Sequence, residues 1–176
     1  KSQRRLPYLF QLAELESSRA GKTGMEVGSL RERIIVALLI YKFGEVEVET
    51  EIPITEPEVD AKLCGEPISI KTITGKSFGG VKLIWTVDAQ KSKEFREHYY
   101  PHGDILLLQI NWNNDVGGFY YIPLVVQKRL FDGVGRQNYI KLPKSGTNPR
   151  GVEITKEDLA SLVEDSETKL IKINCN

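Results

Sequence analysis

The sequence predicts an α/β sandwich, in which helices flank a central mixed β-sheet. Helical periodicity recurs near both ends and in the middle of the chain, while residues 45–74 contain short segments of alternating polar and apolar residues. The run Ile105–Ile110 is almost wholly apolar and is typical of a strand buried on both faces. With 176 residues the chain has the size of one domain, and we expect a single domain over residues 1–176.

Each element follows from a local pattern. Residues 4–20 have helical spacing and lead into a Gly-rich loop at 21–28. Ser29 is a suitable N-cap with Glu32 three residues later, and this capping-box spacing predicts a helix from Ser29 to Phe43. Alternation and apolar runs predict strands at 45–54, 57–63, 67–74, 81–87, 105–110 and 119–122, and helical patterns predict helices at 88–100, 124–131 and 155–164.

Composition and charge exclude several classes of protein. Lys plus Arg and Asp plus Glu each number 24, so the net charge gives no sign of a polyanionic partner. Cys64 and Cys175 are far apart, which excludes a disulfide framework or a zinc ribbon and fits a reducing, cytoplasmic compartment. The longest apolar run, Ile34–Ile40, is too short to span a membrane. Because the sequence starts at Lys1 and not at Met, we expect the full chain to begin earlier.

Four short motifs match known sites but lack the surroundings that those sites need. Gly21-Lys22-Thr23 and Gly75-Lys76-Ser77 resemble the end of a phosphate-binding loop, but the glycine required five residues earlier is missing. Asp60-Ala61-Lys62 matches an acid-x-Lys tripeptide but has no suitable acidic strand before it. Glu167-Thr168-Lys169 matches the same tripeptide in an acidic tail, for which we expect no partner strand.

The most informative chemistry lies in a predicted hairpin that contains Asp60 and Lys71. Two alternating segments are joined at Cys64-Gly65, which marks a tight reversal. A loop of two residues would place Asp60 opposite Ser69, and a loop of four would place it opposite Lys71. In both cases Asp60, Ser69 and Lys71 share one face of the hairpin, while Glu66 lies on the other.

These positions match the needs of metal-dependent phosphodiester cleavage. Hard oxygen ligands must hold Mg²⁺, and a cationic group must assist the attacking water. Asp60 and the Ile70 carbonyl would be metal ligands, and Lys71 would be the catalytic cation. Ser69 stands where an acidic residue usually precedes the lysine, so a second carboxylate must come from elsewhere. The alternative is that Asp60 and Lys71 form an ordinary surface ion pair.

Glu32 and Glu66 are the candidates for the second carboxylate. The face assignment of the hairpin counts against Glu66. Glu32 precedes Val36 by one turn, where a buried helix would emerge from the core just before the hairpin. The alternative for Glu32 is a capping-box acid, which would stabilise the helix by about 0.5–2 kcal/mol. The pattern alone leaves both explanations open.

With these residues identified, the chain resembles the PD-(D/E)xK superfamily of Mg²⁺-dependent nucleases, and over its whole length it is similar to the ThaI family of type II restriction endonucleases. The segments that carry the resemblance are Ser29-Leu30-Arg31-Glu32-Arg33-Ile34, Glu58-Val59-Asp60 and Ile68-Ser69-Ile70-Lys71-Thr72. Val59 replaces the proline of the family pattern, and Ser69 replaces its acid. Some superfamily members take the second carboxylate from the preceding helix, which favours Glu32 as a metal ligand, directly or through water.

The resemblance implies a restriction-endonuclease-like fold and a homodimer that cuts double-stranded DNA. It implies a short palindromic site, here CG/CG, and blunt ends. Two other functions fit the same residues. One is a non-catalytic DNA-binding module that has lost its acid at Ser69. The other is a repair nuclease of the same fold that recognises DNA structure and not sequence.

Several residues near the predicted site are candidates for DNA contact. Met25 is the only methionine and could wedge between base pairs, at a cost of a few kcal/mol of unstacking. Alternatively, Met25 fills a gap beneath its own loop. Lys22, in the same Gly-rich loop, could bind a phosphate. Lys76 and Ser77 follow the Lys71 strand directly, and we expect them to contact DNA as well.

Overall fold

The computed structural model of the chain describes residues 8–12, 15, 25–53, 55–86, 88–111, 116–144 and 151–174. Residues 8–12 are helical, followed by α1 (Met25–Phe43), α2 (Ala89–His98), α3 (Leu124–Val134), α4 (Arg136–Tyr139) and α5 (Lys156–Glu164). The strands are β1 (Val48–Glu49), β2 (Ala61–Leu63), β3 (Glu66–Thr74), β4 (Val81–Trp85), β5 (Asp104–Ile110), β6 (Val116–Ile122), β7 (Ile140–Lys141), β8 (Gly151–Ile154) and β9 (Lys169–Asn174). Among these helices, none is both long and apolar enough to cross a membrane.

A six-stranded sheet in the order β1-β2-β3-β5-β6-β9 forms the centre of the described structure. β3 and β5 run parallel and the other neighbouring strands are antiparallel, so the sheet is mixed, as the sequence predicts. β5 lies between β3 and β6, and its residues 105–110 are all buried. This central position explains the apolar run, because both faces of the strand are covered.

The two faces of the central sheet build two separate hydrophobic cores. The first core contains Phe10, Ile35, Ile68, Ile70, Leu106, Leu108, Ile110 and Ile173, and it joins α1 to β3 and β5. The second core takes Ile105 and Leu107 from β5 and is covered by α2 to α5 and by a three-stranded sheet, β4-β8-β7. Helices therefore flank the mixed sheet on both faces, which confirms the predicted α/β sandwich.

α1 begins at Met25, earlier than the start predicted at Ser29. Ser29 lies inside the helix and not at its N-cap, and Gly28 is helical and not part of a loop. A glycine or serine inside a helix lowers the stability of the helix by only about 1 kcal/mol or less relative to alanine. Packing of α1 on the sheet offsets this loss. Glu32 stands about two turns into α1, so the explanation of Glu32 as a capping-box acid is wrong.

Three other expectations differ from the observed strands. The strand predicted at 45–54 is reduced to β1 at the edge of the sheet, because glutamates and Pro53 support strand pairing poorly. The strand predicted at 81–87 is shorter, Val81–Trp85, and it lies in the second sheet, where it pairs with β8. β9 pairs with β6 along its whole length and buries Ile173 in the first core. The expectation that the acidic tail has no partner strand is therefore wrong.

Candidate active site

The hairpin of β2 and β3 closes through a two-residue turn at Cys64-Gly65. Both residues have positive φ, 53° and 82°, as a type I′ turn requires. Ala61 pairs with Ile68, so Asp60 stands opposite Ser69. Of the two loop lengths considered from the sequence, the shorter is therefore the observed one.

β3 is much longer than β2, and this difference leaves an open edge. β2 pairs only with residues 66–68 of β3, and the Asp60 N–H donates one further bond to the Ile68 carbonyl at 2.9 Å. Beyond that point, this edge of β3 has no strand partner within the part of the chain that the structure describes. The Asp60 carboxylate occupies the start of the open edge, where its Oδ2 accepts a 2.6 Å hydrogen bond from the Ile70 N–H. The N–H and carbonyl of one strand residue point to the same edge, so the Ile70 carbonyl is also directed there.

Three donors converge on one oxygen of Asp60. Besides the Ile70 N–H, Asp60 Oδ2 accepts from the Ser69 hydroxyl at 3.5 Å and lies 3.5 Å from the Lys71 Nζ. The side chains of Lys71 and Asp60 are only 13% and 26% exposed, so the pair is not an ordinary surface ion pair. Ser69 is itself buried and supplies a donor to Asp60 where the family pattern has an acid.

Glu32 reaches the same site from α1. The helix packs on β3 through Ile35, which lies one turn further along the helix and is buried against Ile68 and Ile70. Glu32 is half-buried, and burial raises the pKa of its carboxyl above the ordinary value. The negative charge of Asp60 raises this pKa further, while the positive charge of Lys71 opposes the shift. The three charged groups predicted from the sequence are therefore close enough to act on one another.

The remaining predicted site residues lie around this cluster or outside the described residues. Glu66 is exposed beside the hairpin turn. Lys76 and Ser77 are exposed in the loop of residues 75–80, which we call the β3–β4 loop. Met25 is the first residue of α1, but its side chain is not among the described parts of the structure, and Lys22 lies outside the described residues altogether.

The oxygen donors of the site suit a hard divalent cation. Mg²⁺ is usually held by one or two carboxylates and keeps several waters, and the carboxylates of Asp60 and Glu32 with the Ile70 carbonyl are donors of this kind. Burial and the negative charge of Asp60 both raise the pKa of Glu32, and a bound cation would relieve the repulsion between the two carboxylates. Within the described ranges, no group of three or more His, Cys, Asp or Glu side chains is arranged so that it could hold a metal ion.

One buried polar residue beside the site was not predicted from the sequence. Gln109 of β5 is 5% exposed, and its amide donates to the carbonyls of Gly75 and Lys76 in the β3–β4 loop. A signal for it is present in the sequence, because Gln109 is the polar exception in the apolar run Ile105–Ile110. A buried amide in such a strand needs hydrogen-bond partners, so it marks a place where another segment approaches.

Comparison with known proteins gives the family of the chain. A family model described as restriction endonuclease ThaI matches residues 1–176. A solved structure, described as a restriction endonuclease in complex with substrate DNA, has 67% sequence identity and a TM-score of 0.91. That match covers 98% of this chain and 83% of the other. No curated protein matches the sequence.

These matches decide between the functions considered from the sequence. The structural match confirms the restriction-endonuclease-like fold. A match to restriction endonucleases over the whole chain sets aside both the non-catalytic DNA-binding module and the structure-specific repair nuclease. The chain belongs to the ThaI family of restriction endonucleases and is a type II site-specific deoxyribonuclease.

Proposed function

We propose that this enzyme hydrolyses phosphodiester bonds of duplex DNA in a Mg²⁺-dependent reaction, with Glu32, Asp60 and Lys71 as its catalytic residues. The observation that carries the proposal is the convergence of these groups at the open edge of β3. An open strand edge lined by two carboxylates and one ammonium can receive both a cation and a phosphate. The related structure solved with substrate DNA supports duplex DNA as the substrate.

The metal would be held by the Asp60 carboxylate, the Ile70 carbonyl and the Glu32 carboxylate, the last directly or through water. When bound, Mg²⁺ polarises the scissile phosphate and lowers the pKa of a coordinated water. The hydrogen bonds from Ile70 N–H and Ser69 to Asp60 Oδ2 fix the carboxylate, so that its other oxygen can face the cation. A ligand held in this way loses little conformational freedom when the metal binds.

Lys71 has a different task, because an ammonium repels a cation. Its Nζ lies 3.5 Å from Asp60 Oδ2, so it stays beside the carboxylate proposed to bind the metal, while its other donors can meet water or phosphate oxygen. We assign to Lys71 the orientation of the attacking water and the stabilisation of negative charge on the phosphate. In-line displacement then forms the bond from water oxygen to phosphorus and breaks the bond from phosphorus to the leaving oxygen. The attacking water loses a proton to solvent, and the leaving oxygen takes one up from solvent.

DNA contacts are proposed for four residues on two segments. Lys76 and Ser77 in the β3–β4 loop come directly after the catalytic strand, where a lysine and a hydroxyl can bind the DNA backbone. Lys22 would bind a phosphate near the start of α1, and Met25 would insert between base pairs. Two copies of the chain, related by a two-fold axis, would place two such sites on a palindrome, CG/CG, and leave blunt ends.

The Met25→Ala variant tests the proposed insertion. Loss of the wedge is expected to weaken binding to a CG/CG duplex by about tenfold. Without the methionine the base step stays stacked, and the duplex no longer bends onto the protein surface. Fluorescence of a base analogue at the opened step measures the unstacking directly. Val46→Ala, which truncates a 93% exposed apolar side chain beyond the other end of α1, is the control and should bind normally. Unchanged affinity and cleavage rate in Met25→Ala would show that Met25 only packs within the protein.

Cleavage of a duplex with one CG/CG site tests the proposed function. We expect blunt products in Mg²⁺, no cleavage in EDTA, and two protein copies on each duplex. A duplex with the same composition but a scrambled site is the control and should remain intact. Cleavage that persists in EDTA would overturn the metal dependence. Cleavage of the scrambled duplex would overturn the sequence specificity.

A further inference from the structure

Gln109 is a buried amide on the strand next to the catalytic one. In the parallel pairing of β3 and β5 it is aligned with Ile73, two residues beyond Lys71. Aligned residues of neighbouring strands point to the same face of a sheet, so Gln109 lies on the face of Ser69 and Lys71. At 5% exposure it has little access to bulk water, so its polar atoms need hydrogen-bond partners within the protein.

The polar atoms of Gln109 hold the β3–β4 loop. Its Nε2 donates to the Gly75 carbonyl at 2.9 Å and to the Lys76 carbonyl at 3.1 Å. Its Oε1 accepts from the Tyr120 hydroxyl at 3.4 Å. The Gly75 N–H also donates to the Ile110 carbonyl at 3.0 Å, so the start of the loop is bonded to β5 through both main chain and side chain.

Tyr120 of β6 supports this arrangement from the next strand. Its ring meets Phe78 of the β3–β4 loop edge-on, with centroids 5.8 Å apart, so it contacts the loop and also orients the Gln109 amide. Gly118 leaves the space for the ring, because a Cβ at that position would come within 2.4 Å of a ring atom. Two strands of the central sheet therefore carry residues whose contacts fix one loop.

We propose that Gln109 is a positioning residue for DNA binding. It fixes the main chain of the β3–β4 loop so that Lys76 and Ser77 meet the DNA backbone beside Lys71. This inference rests on the proposed DNA contact of that loop. A loop whose main chain is already fixed loses less conformational freedom on binding, so its contacts contribute more to affinity. An amide that only satisfied two main-chain carbonyls would have no effect on DNA affinity beyond its effect on stability.

Gln127 provides a matched control. It is 1% exposed, and its Nε2 also donates to two backbone carbonyls, those of Gly103 at 2.9 Å and Ile122 at 3.3 Å. Gln109→Met and Gln127→Met therefore each remove a buried amide that donates to two main-chain carbonyls. Of the two glutamines, only Gln109 contacts the β3–β4 loop. Both variants are expected to lose stability, and they differ only in their expected effect on DNA.

The decisive measurement is the affinity for a CG/CG duplex as a function of salt, with Ca²⁺ in place of Mg²⁺. For Gln109→Met we expect affinity to fall by about tenfold and the salt slope to fall by about one, the value for one lost phosphate contact. Gln127→Met should leave both unchanged. Lys76→Ala should lower the slope by a similar amount, and adding Gln109→Met to it should have little further effect on the slope.

The outcomes separate this inference from the proposal on which it rests. If Lys76→Ala lowers the salt slope but Gln109→Met does not, the positioning role is wrong and the loop contact stands. If neither variant changes the slope, both are wrong. If Gln109→Met does not fold, Tyr120→Phe serves as the second variant, because it removes only the hydroxyl that orients the Gln109 amide. A smaller loss of affinity is then expected, and wild-type affinity and slope would overturn the inference.

Discussion

Replacing Asp60 by asparagine is expected to lower the rate of DNA cleavage by about 10³-fold. Metal-assisted charge stabilisation is worth several kcal/mol, and each 1.4 kcal/mol or so changes the rate tenfold. Asparagine keeps an oxygen that can accept the 2.6 Å hydrogen bond from the Ile70 N–H, so the hairpin should remain intact. The effect then comes from the lost charge and not from a disturbed fold. Single-turnover cleavage of a CG/CG duplex in Mg²⁺ measures it.

Asp60→Ala provides the comparison for this experiment. It removes the charge and also leaves the Ile70 N–H without its present acceptor, so it should lose activity similarly and be less stable than Asp60→Asn. Thermal unfolding of both variants separates the two effects. A cleavage rate for Asp60→Asn within tenfold of wild type would show that the metal is held by other groups.

The Glu32→Gln variant is expected to lose cleavage by at least about 10²-fold and, without divalent cations, to be more stable than wild type at pH values above the raised pKa of Glu32. Burial and the charge of Asp60 raise the pKa of Glu32 above 4.5, its ordinary value, so the native state holds this proton more tightly than the unfolded chain does. Protonated Glu32 therefore contributes stability that is fully present below pH 4.5 and is lost as pH rises through the raised pKa. Glutamine at this position does not titrate, so the variant does not lose stability in this way. Denaturant unfolding in EDTA across this pH range measures the difference.

Glu66→Gln is the matched control, because Glu66 is exposed and stands on the same hairpin as Asp60. It should change neither cleavage nor the pH dependence of unfolding. Loss of cleavage in Glu66→Gln with normal cleavage in Glu32→Gln would assign the second carboxylate to β3. A Glu32→Gln protein that is inactive but no more stable at high pH would contradict the raised pKa that burial and the charge of Asp60 give Glu32.

The local parts of the site could be predicted from the sequence. Strand alternation places Asp60, Ser69 and Lys71 on one face whichever even loop length is used, and the observed two-residue turn preserves that relation. The apolar run of β5 likewise indicates its central position, because burial on both faces requires such a composition. Both features depend on patterns of polar and apolar residues over a few neighbouring positions, and such patterns are visible in a single sequence.

Features that depend on distant packing could not be predicted in this way. Ser29 and Glu32 form a good local capping pattern and so predict too late a start for α1, which begins at Met25 and packs on the sheet through residues further along the helix. The pattern of β9 is too weak to predict a strand, because its alternation is brief and its partner, β6, lies far back in the chain. Similarly, the partners of Gln109 come from β6 and from the loop after β3, which only the folded chain brings together.

The hydrogen bond from Ile70 to Asp60 has a spectroscopic consequence. Most strand amides donate to a neutral main-chain carbonyl, but the Ile70 N–H donates at 2.6 Å to a carboxylate that we assign to the metal. The resonance frequency of an amide proton depends on the charge of its acceptor, and a cation at Asp60 reduces that charge. The Ile70 amide signal should therefore move when Mg²⁺ is added to the protein alone. One main-chain position of β3 would thus report occupancy of the proposed metal site in NMR spectra, without DNA, turnover or an attached label.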